Sequence, residues 1–245
     1  MKQVPNLFTL LNLFFGCIAI QFILQYNPNG SVNFSGMALM LGSLFIFLAS
    51  IIDFTDGFVA RLFKATSDMG AQLDSLADVV SFGVAPAMIL FKMLEVSFAS
   101  NVEVGSSFWY QMPAFILPCA GAWRLAKFNL DKEQTYYFKG VPIPAVGLVV
   151  ASLPLARTGE WNLEVLYQNP FVIYAIIVLL SFLMVSNIPM MSMKFKSKAP
   201  KDNIDKILIV VVSIVSVIIF KWAAAPIIFI VYLLLSLIFR PDKVK

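Results

Sequence analysis

Long apolar runs alternate with short polar links along the whole chain. The runs fall at about 5–25, 35–62, 72–94, 107–128, 142–156, 170–190, 204–220 and 223–239. A helix rises about 1.5 Å per residue, so roughly 20 apolar residues cross the ~30 Å hydrocarbon layer of a bilayer. The pattern predicts an all-α protein that crosses the membrane many times. The fifth run is short and opens in the proline-rich Val141-Pro142-Ile143-Pro144. Only Lys221-Trp222 part the last two runs, with Pro226 just beyond, which predicts either a tight helical hairpin or one broken helix. The run behind Met1-Lys2 has the look of a signal peptide. It is long, however, and no small-x-small site precedes Gln25-Tyr26-Asn27-Pro28, so it is expected to be the first membrane helix.

Charge changes this picture through its placement. One set of connections holds Lys2, Arg61, Lys64, Arg124, Lys127, Lys132, Lys139, the lysines at 194, 196, 198, 201 and 206, and Arg240, Lys243 and Lys245. The opposite set holds only Lys92, Arg157 and Lys221. Cytoplasmic loops carry the excess of Lys and Arg, so both termini and the 61–70 link are expected in the cytoplasm, on a plasma or inner membrane. The net charge of +4 is then topology and not a nucleic-acid footprint. A composition of 60% hydrophobic and 13% charged residues excludes a soluble domain. Cys17 and Cys119 lie in apolar runs and are expected to be buried small hydrophobes, not a disulfide. The chain has no histidine, so proton transfer falls to a carboxylate, Lys, Tyr or Cys.

The acidic exceptions inside the apolar runs carry the chemistry. Asp53 and Asp56 stand three apart near the cytoplasmic end of the second helix; Asp74 and Asp78 stand four apart near the start of the third. Each spacing puts both members on one helix face, and the 61–70 link folds the two faces together. A lone charge at mid-membrane costs ~2.5–3.5 kcal/mol on insertion scales, and four of one sign also repel. Asp53 and Asp56 sit toward a negative helix end, which makes a cation partner more necessary. All-oxygen ligands suit Mg²⁺, Mn²⁺ or Ca²⁺, and four carboxylates suffice for two ions. Two such ions at a membrane surface serve phosphoryl or phosphatidyl transfer. Gly57 lets a bulky ligand approach the backbone, Arg61 can fork onto a phosphate one turn on, and Gly70 eases entry into the third helix. The plainer alternative is a buried network of these acids with Arg61 and Lys64, in which two bases face four acids.

At these positions the sequence resembles the CDP-alcohol phosphotransferase family. Its motif D-x2-D-G-x2-A-R-x8-G-x3-D-x3-D is matched without a gap by Asp53, Asp56, Gly57, Ala60, Arg61, Gly70, Asp74 and Asp78. The resemblance covers roughly residues 1–190; residues 191–245 add a basic cytoplasmic link and a C-terminal pair of helices. It implies a six-helix membrane core, usually in a homodimer, with its site open to the cytoplasm. It implies two divalent cations (Mg²⁺ or Mn²⁺, with Ca²⁺ an option at one site) on Asp53, Asp56, Asp74 and Asp78. Asp78 is also implied as the base on an acceptor hydroxyl. Asn6, Thr9, Gly57, Ala60, Arg61, Ser67 and Gly70 are implied as contacts to CDP-diacylglycerol.

The segments 74–86, 124–129 and 138–144 resemble members that use CDP-diacylglycerol and L-serine, releasing CMP. Relatives with phosphorylated acceptors tend to carry Lys or Arg after the last aspartate, where this chain has Val79. Ser81, Arg124, Lys127 and Asn129 are the candidate serine contacts, with Arg124 for the carboxylate. Choline, glycerol phosphate, inositol phosphate or an archaeal-type lipid remain alternative substrates of the same chemistry. A membrane prenyltransferase would place its aspartates in two separate motifs. A cation channel or transporter would spread them across the membrane depth, whereas here they lie toward one face.

Overall fold

The structure is a computed structural model that describes residues 4–27, 32–62, 67–99, 108–130, 138–156, 169–191 and 203–238. Helices α1 (Val4–Leu24) and α2 (Val32–Leu62) pack against each other along their lengths. A continuous helix follows, made of α3 (Asp68–Asp78), a π-helical turn (Val79–Val84) and α4 (Ala85–Ala99). A 3₁₀ stretch (Phe108–Phe115) leads into α5 (Ile116–Leu130), and α6 (Ile143–Ala156) and α7 (Pro170–Val185) complete the main bundle. Beyond it come α8 (Ile204–Phe220) and α9 (Ala224–Ile238), joined by a turn at Lys221–Ala223.

Pro5–Leu24, Met37–Val59, Asp68–Ala99 and Ile204–Ile238 are each long and apolar enough to cross a membrane, and α6 and α7 are shorter apolar helices. The last stretch is folded in two, because Ile209 near the start of α8 packs with Leu235 near the end of α9. The chain is therefore an all-α, polytopic membrane protein, and of the two endings open to its last helices it adopts the hairpin. The described strands are the two-residue β1 (Phe138–Lys139) and β2 (Pro189–Met190), paired antiparallel. They tie the entry of α6 to the exit of α7. Gly140 makes this possible at φ 76°, where an added Cβ would stand 2.3 Å from the Met184 carbonyl oxygen.

The core forms around α4, whose Ile89, Leu90, Met93 and Leu94 are fully buried with Phe82 of the π turn. Apolar burial gives little net drive inside lipid, so close backbone approach does the packing. A Cβ on Gly16 of α1 would stand 2.3 Å from Ser81 Oγ, and one on Gly147 of α6 would stand 3.0 Å from the Phe82 backbone. Large apolar side chains such as Phe14, Phe54, Phe171 and Ile218 face outward, as a bilayer requires. Cys17 and Cys119 correct an expectation: both are free, but exposed on the lipid-facing surface. The third helix also begins a turn earlier than its apolar run, at Asp68, because Ser67 caps it by accepting from the Gly70 N–H at 3.0 Å.

The π turn has an identifiable cause. Pro86 has no N–H for the Phe82 carbonyl, and its ring crowds that carbonyl. The chain widens by one residue just before it, and the Ala85 N–H bonds to Val80 O instead. The wide turn begins directly after Asp78, at the junction of the acidic helix with the core.

Candidate active site

Three helices converge on the aspartates. The C-terminal half of α2 brings Asp53 and Asp56, α3 brings Asp74 and Asp78, and α1 supplies the wall behind them. Ligand oxygens of Asp53, Asp56 and Asp74 all lie within 4.8 Å of one another. The Asp53 carboxyl also lies against that of Asp78. Asp56 and Asp78 are buried, and Asp53 and Asp74 are half-buried. No lysine or arginine among the described residues pairs with any of the four; the ion pairs found there are Lys92–Glu95 and Lys206–Asp205. Four clustered carboxylates with no basic partner among the described residues form a hard-cation donor set, and one buried oxygen, Asp78 Oδ1, has no hydrogen-bond partner. The residues present fit a divalent-metal site.

The α1 wall uses a polar stripe. Asn6, Thr9 and Asn12 follow at spacings of three, which sets them on one face of an otherwise apolar helix. The Thr9 hydroxyl donates to Asp56 Oδ2 at 2.7 Å, and Asn12 Nδ2 donates to Asp53 Oδ1 at 3.4 Å. Asn12 is fully buried, and Ser81 in turn donates to its backbone carbonyl at 3.1 Å. The sequence-level candidates include Asn6 and Thr9 but miss Asn12, although the three-residue spacing was there to read. Groups that orient metal ligands commonly influence affinity 10–100-fold. Asn12→Ala is expected to weaken Mn²⁺ binding by roughly that factor, measured by Mn²⁺ electron paramagnetic resonance on the purified chain. Unchanged affinity would show that Asn12 only fills space.

Of the candidate nucleotide contacts, Asn6, Ser67 and Gly70 come together and Gly57 borders open space, whereas Thr9 is buried in the α1 wall. A Cβ on Gly70 would meet Asn6 Oδ1 and Ser67 Oγ, both at 3.1 Å, so the starts of α1 and α3 touch there. A Cβ on Gly57 would meet nothing within 4 Å, leaving open space beside Asp56. Thr9 and Ser67 each already hold an internal partner, Asp56 and the α3 N-terminus respectively. The side chains of Ala60 and Arg61 lie outside the described residues, though both positions are helical in α2.

The candidate serine contacts do not form one cluster. Ser81, within the π turn, is fully buried against α1, which leaves it no opening toward an acceptor. Lys127 donates to Asn187 Oδ1 at 2.6 Å and Asn129 to Ser75 Oγ at 2.9 Å, so both pin the end of α5. Arg124 differs from them. It is buried, its Nε has no partner, it lies over the Phe128 ring at 5.5 Å, and it is within electrostatic reach of Asp78 without pairing to it.

Comparison with known proteins agrees with this geometry. The profile of the family described as CDP-alcohol phosphatidyltransferase matches residues 2–181. A Bacillus subtilis protein named CDP-diacylglycerol–serine O-phosphatidyltransferase is 32% identical over 194 residues, 77% of this chain and 89% of its own. A Helicobacter pylori protein of the same name is 34% identical over 186 residues, covering 75% and 70%. One from Saccharomyces cerevisiae is 35% identical over 167 residues, covering 64% and 55%. The match runs through α1, both aspartate pairs and the helices that enclose them, and the chain belongs to the CDP-alcohol phosphatidyltransferase family.

Proposed function

We propose that this chain transfers the phosphatidyl group of CDP-diacylglycerol to the hydroxyl of L-serine, giving phosphatidylserine and CMP. The observation that carries the reading is Asp78, a buried carboxyl with one unpartnered oxygen, set against three further aspartates with no basic counter-ion among the described residues. Serine is the acceptor in the names of the relatives above, and the uncharged Val79 after the last aspartate suits an acceptor without phosphate.

Asp53, Asp56, Asp74 and Asp78 would hold a pair of divalent cations, Mg²⁺ or Mn²⁺. When bound, the pair supplies charge neutralisation at the diphosphate and acidifies the attacking hydroxyl. Asn12 and Thr9 hold Asp53 and Asp56 in place. Asp78 accepts the proton of the serine hydroxyl while that oxygen forms its bond to the phosphorus bearing diacylglycerol. The bond from this phosphorus to the CMP oxygen breaks, and CMP departs with the electron pair. Gly57 and Gly70 leave room for the nucleotide, and Arg61 takes up phosphate charge from its place one turn past Gly57. Arg124 receives the serine carboxylate, filling the gap its unpartnered Nε leaves near Asp78. In this reading the site opens to the cytoplasm, where serine is dissolved, and residues 1–190 carry the chemistry, in a homodimer.

The test is a competition of alcohols. Purified protein with CDP-diacylglycerol and Mn²⁺ or Mg²⁺ is offered serine, choline, glycerol phosphate and inositol phosphate, and the lipid product is identified by mass. Phosphatidylserine is the expected product. Arg124→Gln is expected to raise KM for serine at least ~10-fold while leaving KM for CDP-diacylglycerol unchanged, the loss of a charge-assisted pair. Product from another alcohol and none from serine would overturn the acceptor and leave the family standing.

A further inference from the structure

The hairpin of α8 and α9 lies beyond the family match and leaves a cavity of about 830 Å³ against the bundle. One wall is the hairpin itself. The other is α6, through Ala145 and Val149, with Pro142 just before it and Phe47 of α2. Nearly all of the lining is apolar. A gap of this kind inside a bilayer fills with hydrocarbon, because a water there would lack polar partners.

The tip of the hairpin indicates which hydrocarbon. Lys221 lines the groove at that end, is exposed, and its ammonium has no ion-pair or hydrogen-bond partner among the described residues. Its backbone sits at φ 51°, ψ −121°, and it is the one non-glycine residue with positive φ among the described residues. Glycine would hold this conformation at far less cost. A lysine kept there against that strain points to a use for its side chain.

Placement then sets the leaflet. The hairpin's base is on the carboxylate side. There the Met191 N–H donates to Ser236 Oγ at 3.2 Å and the Tyr232 hydroxyl donates to Met191 O at 3.1 Å, directly after β2. β2 follows Asn187, which anchors Lys127, while Asn129 reaches Ser75 beside Asp74. The 17 residues of α8 carry the chain about 25 Å from that base. This leaves Lys221 a few ångströms short of the far interface, within reach of a snorkelling lysine. Trp222, edge-on to Phe47 at 5.4 Å, closes the groove beside it.

We propose that this groove binds the acyl chains of an anionic phospholipid from the leaflet opposite the carboxylate cluster, with the lipid phosphate on Lys221. The site is separate from the one that holds the reacting lipid. Charge complementarity selects the occupant: a second copy of the chain would cover the apolar walls but would leave the strained cation unused.

The test uses the full chain, stripped of lipid in mild detergent and titrated with phosphatidylglycerol or phosphatidylcholine of identical chains, with bound lipids counted by native mass spectrometry. The wild type is expected to hold one phosphatidylglycerol at least five-fold more tightly than phosphatidylcholine. K221Q and K221G are expected to lose that preference while CMP release stays at the wild-type level. K221G is also expected to melt at a higher temperature than wild type in lipid-free detergent, because the strain is relieved. A225W, which fills the groove, is expected to lose both lipids. Equal retention of the two lipids by the wild type, or an undiminished preference in K221Q, overturns the proposal. So does a change from dimer to monomer in A225W with lipid binding unaltered, which would assign the groove to a second copy.

Discussion

Asp78→Asn is expected to lower CMP release by a factor of roughly 10²–10⁴, the range over which a positioned general base contributes. Asparagine keeps the size of the side chain and can still donate a hydrogen bond, but it cannot take the serine proton. Asp78 is the last acid before the π turn, buried, with Oδ1 unpartnered. Its surroundings are thus built to leave one oxygen available. The other three aspartates remain in the variant, and they form the tighter constellation, within 4.8 Å. Mn²⁺ binding is therefore expected to fall much less than turnover. The check is CMP release and Mn²⁺ paramagnetic resonance on the same preparation. Turnover near the wild-type rate would end the assignment of Asp78 as base, and a parallel loss of metal and rate would recast it as a ligand alone.

Asp53→Asn should change sign with metal. Asp53 is the hub of the cluster: its carboxyl lies against Asp74 and Asp78, and it accepts from Asn12. In chelator, removing one of four crowded like charges relieves repulsion, and the variant is expected to melt about 2–4 °C higher than wild type if the relief is about 1 kcal/mol. With Mn²⁺ the order reverses. A ligand that binds only the folded chain stabilises it by about 2.7 kcal/mol at a hundred times its Kd, and the variant forfeits most of that gain. Melting curves in chelator and in Mn²⁺ check both halves. A wild-type metal shift in the variant would take Asp53 out of the ligand set.

The legible part of this protein was the part written in local patterns. Among the described residues the eight apolar runs became eight helical stretches, because length and apolarity decide what can cross a bilayer. The aspartate pairs read correctly as two facing helix stripes, since spacings of three and four allow no other arrangement on a helix. Lys221-Trp222 left two endings open, because a hairpin and a kink begin from the same break. The packing of Ile209 on Leu235 resolved it. The cysteines misled because apolar neighbours mean burial in a soluble core but lipid exposure in a membrane. Ser81 entered the candidate serine contacts through the 74–86 resemblance, and the structure adds that the π turn and Gly16 draw it into the packing.

By itself the sequence determined that this is a multi-helix membrane protein with four aspartates on two facing helix stripes, because helix period, span length and charge cost act within single segments; the diphosphate reading came from the family resemblance of that motif. Only the tertiary structure decided which groups support and limit that motif. It placed Asn12 and Thr9 behind the carboxylates, widened the helix after Asp78 ahead of Pro86, and set Arg124 apart from Lys127 and Asn129. It also folded the last two helices into a hairpin with Lys221 at its tip. Each of these depends on contacts between segments distant in the chain, and local periodicity carries no record of which distant backbone will come close.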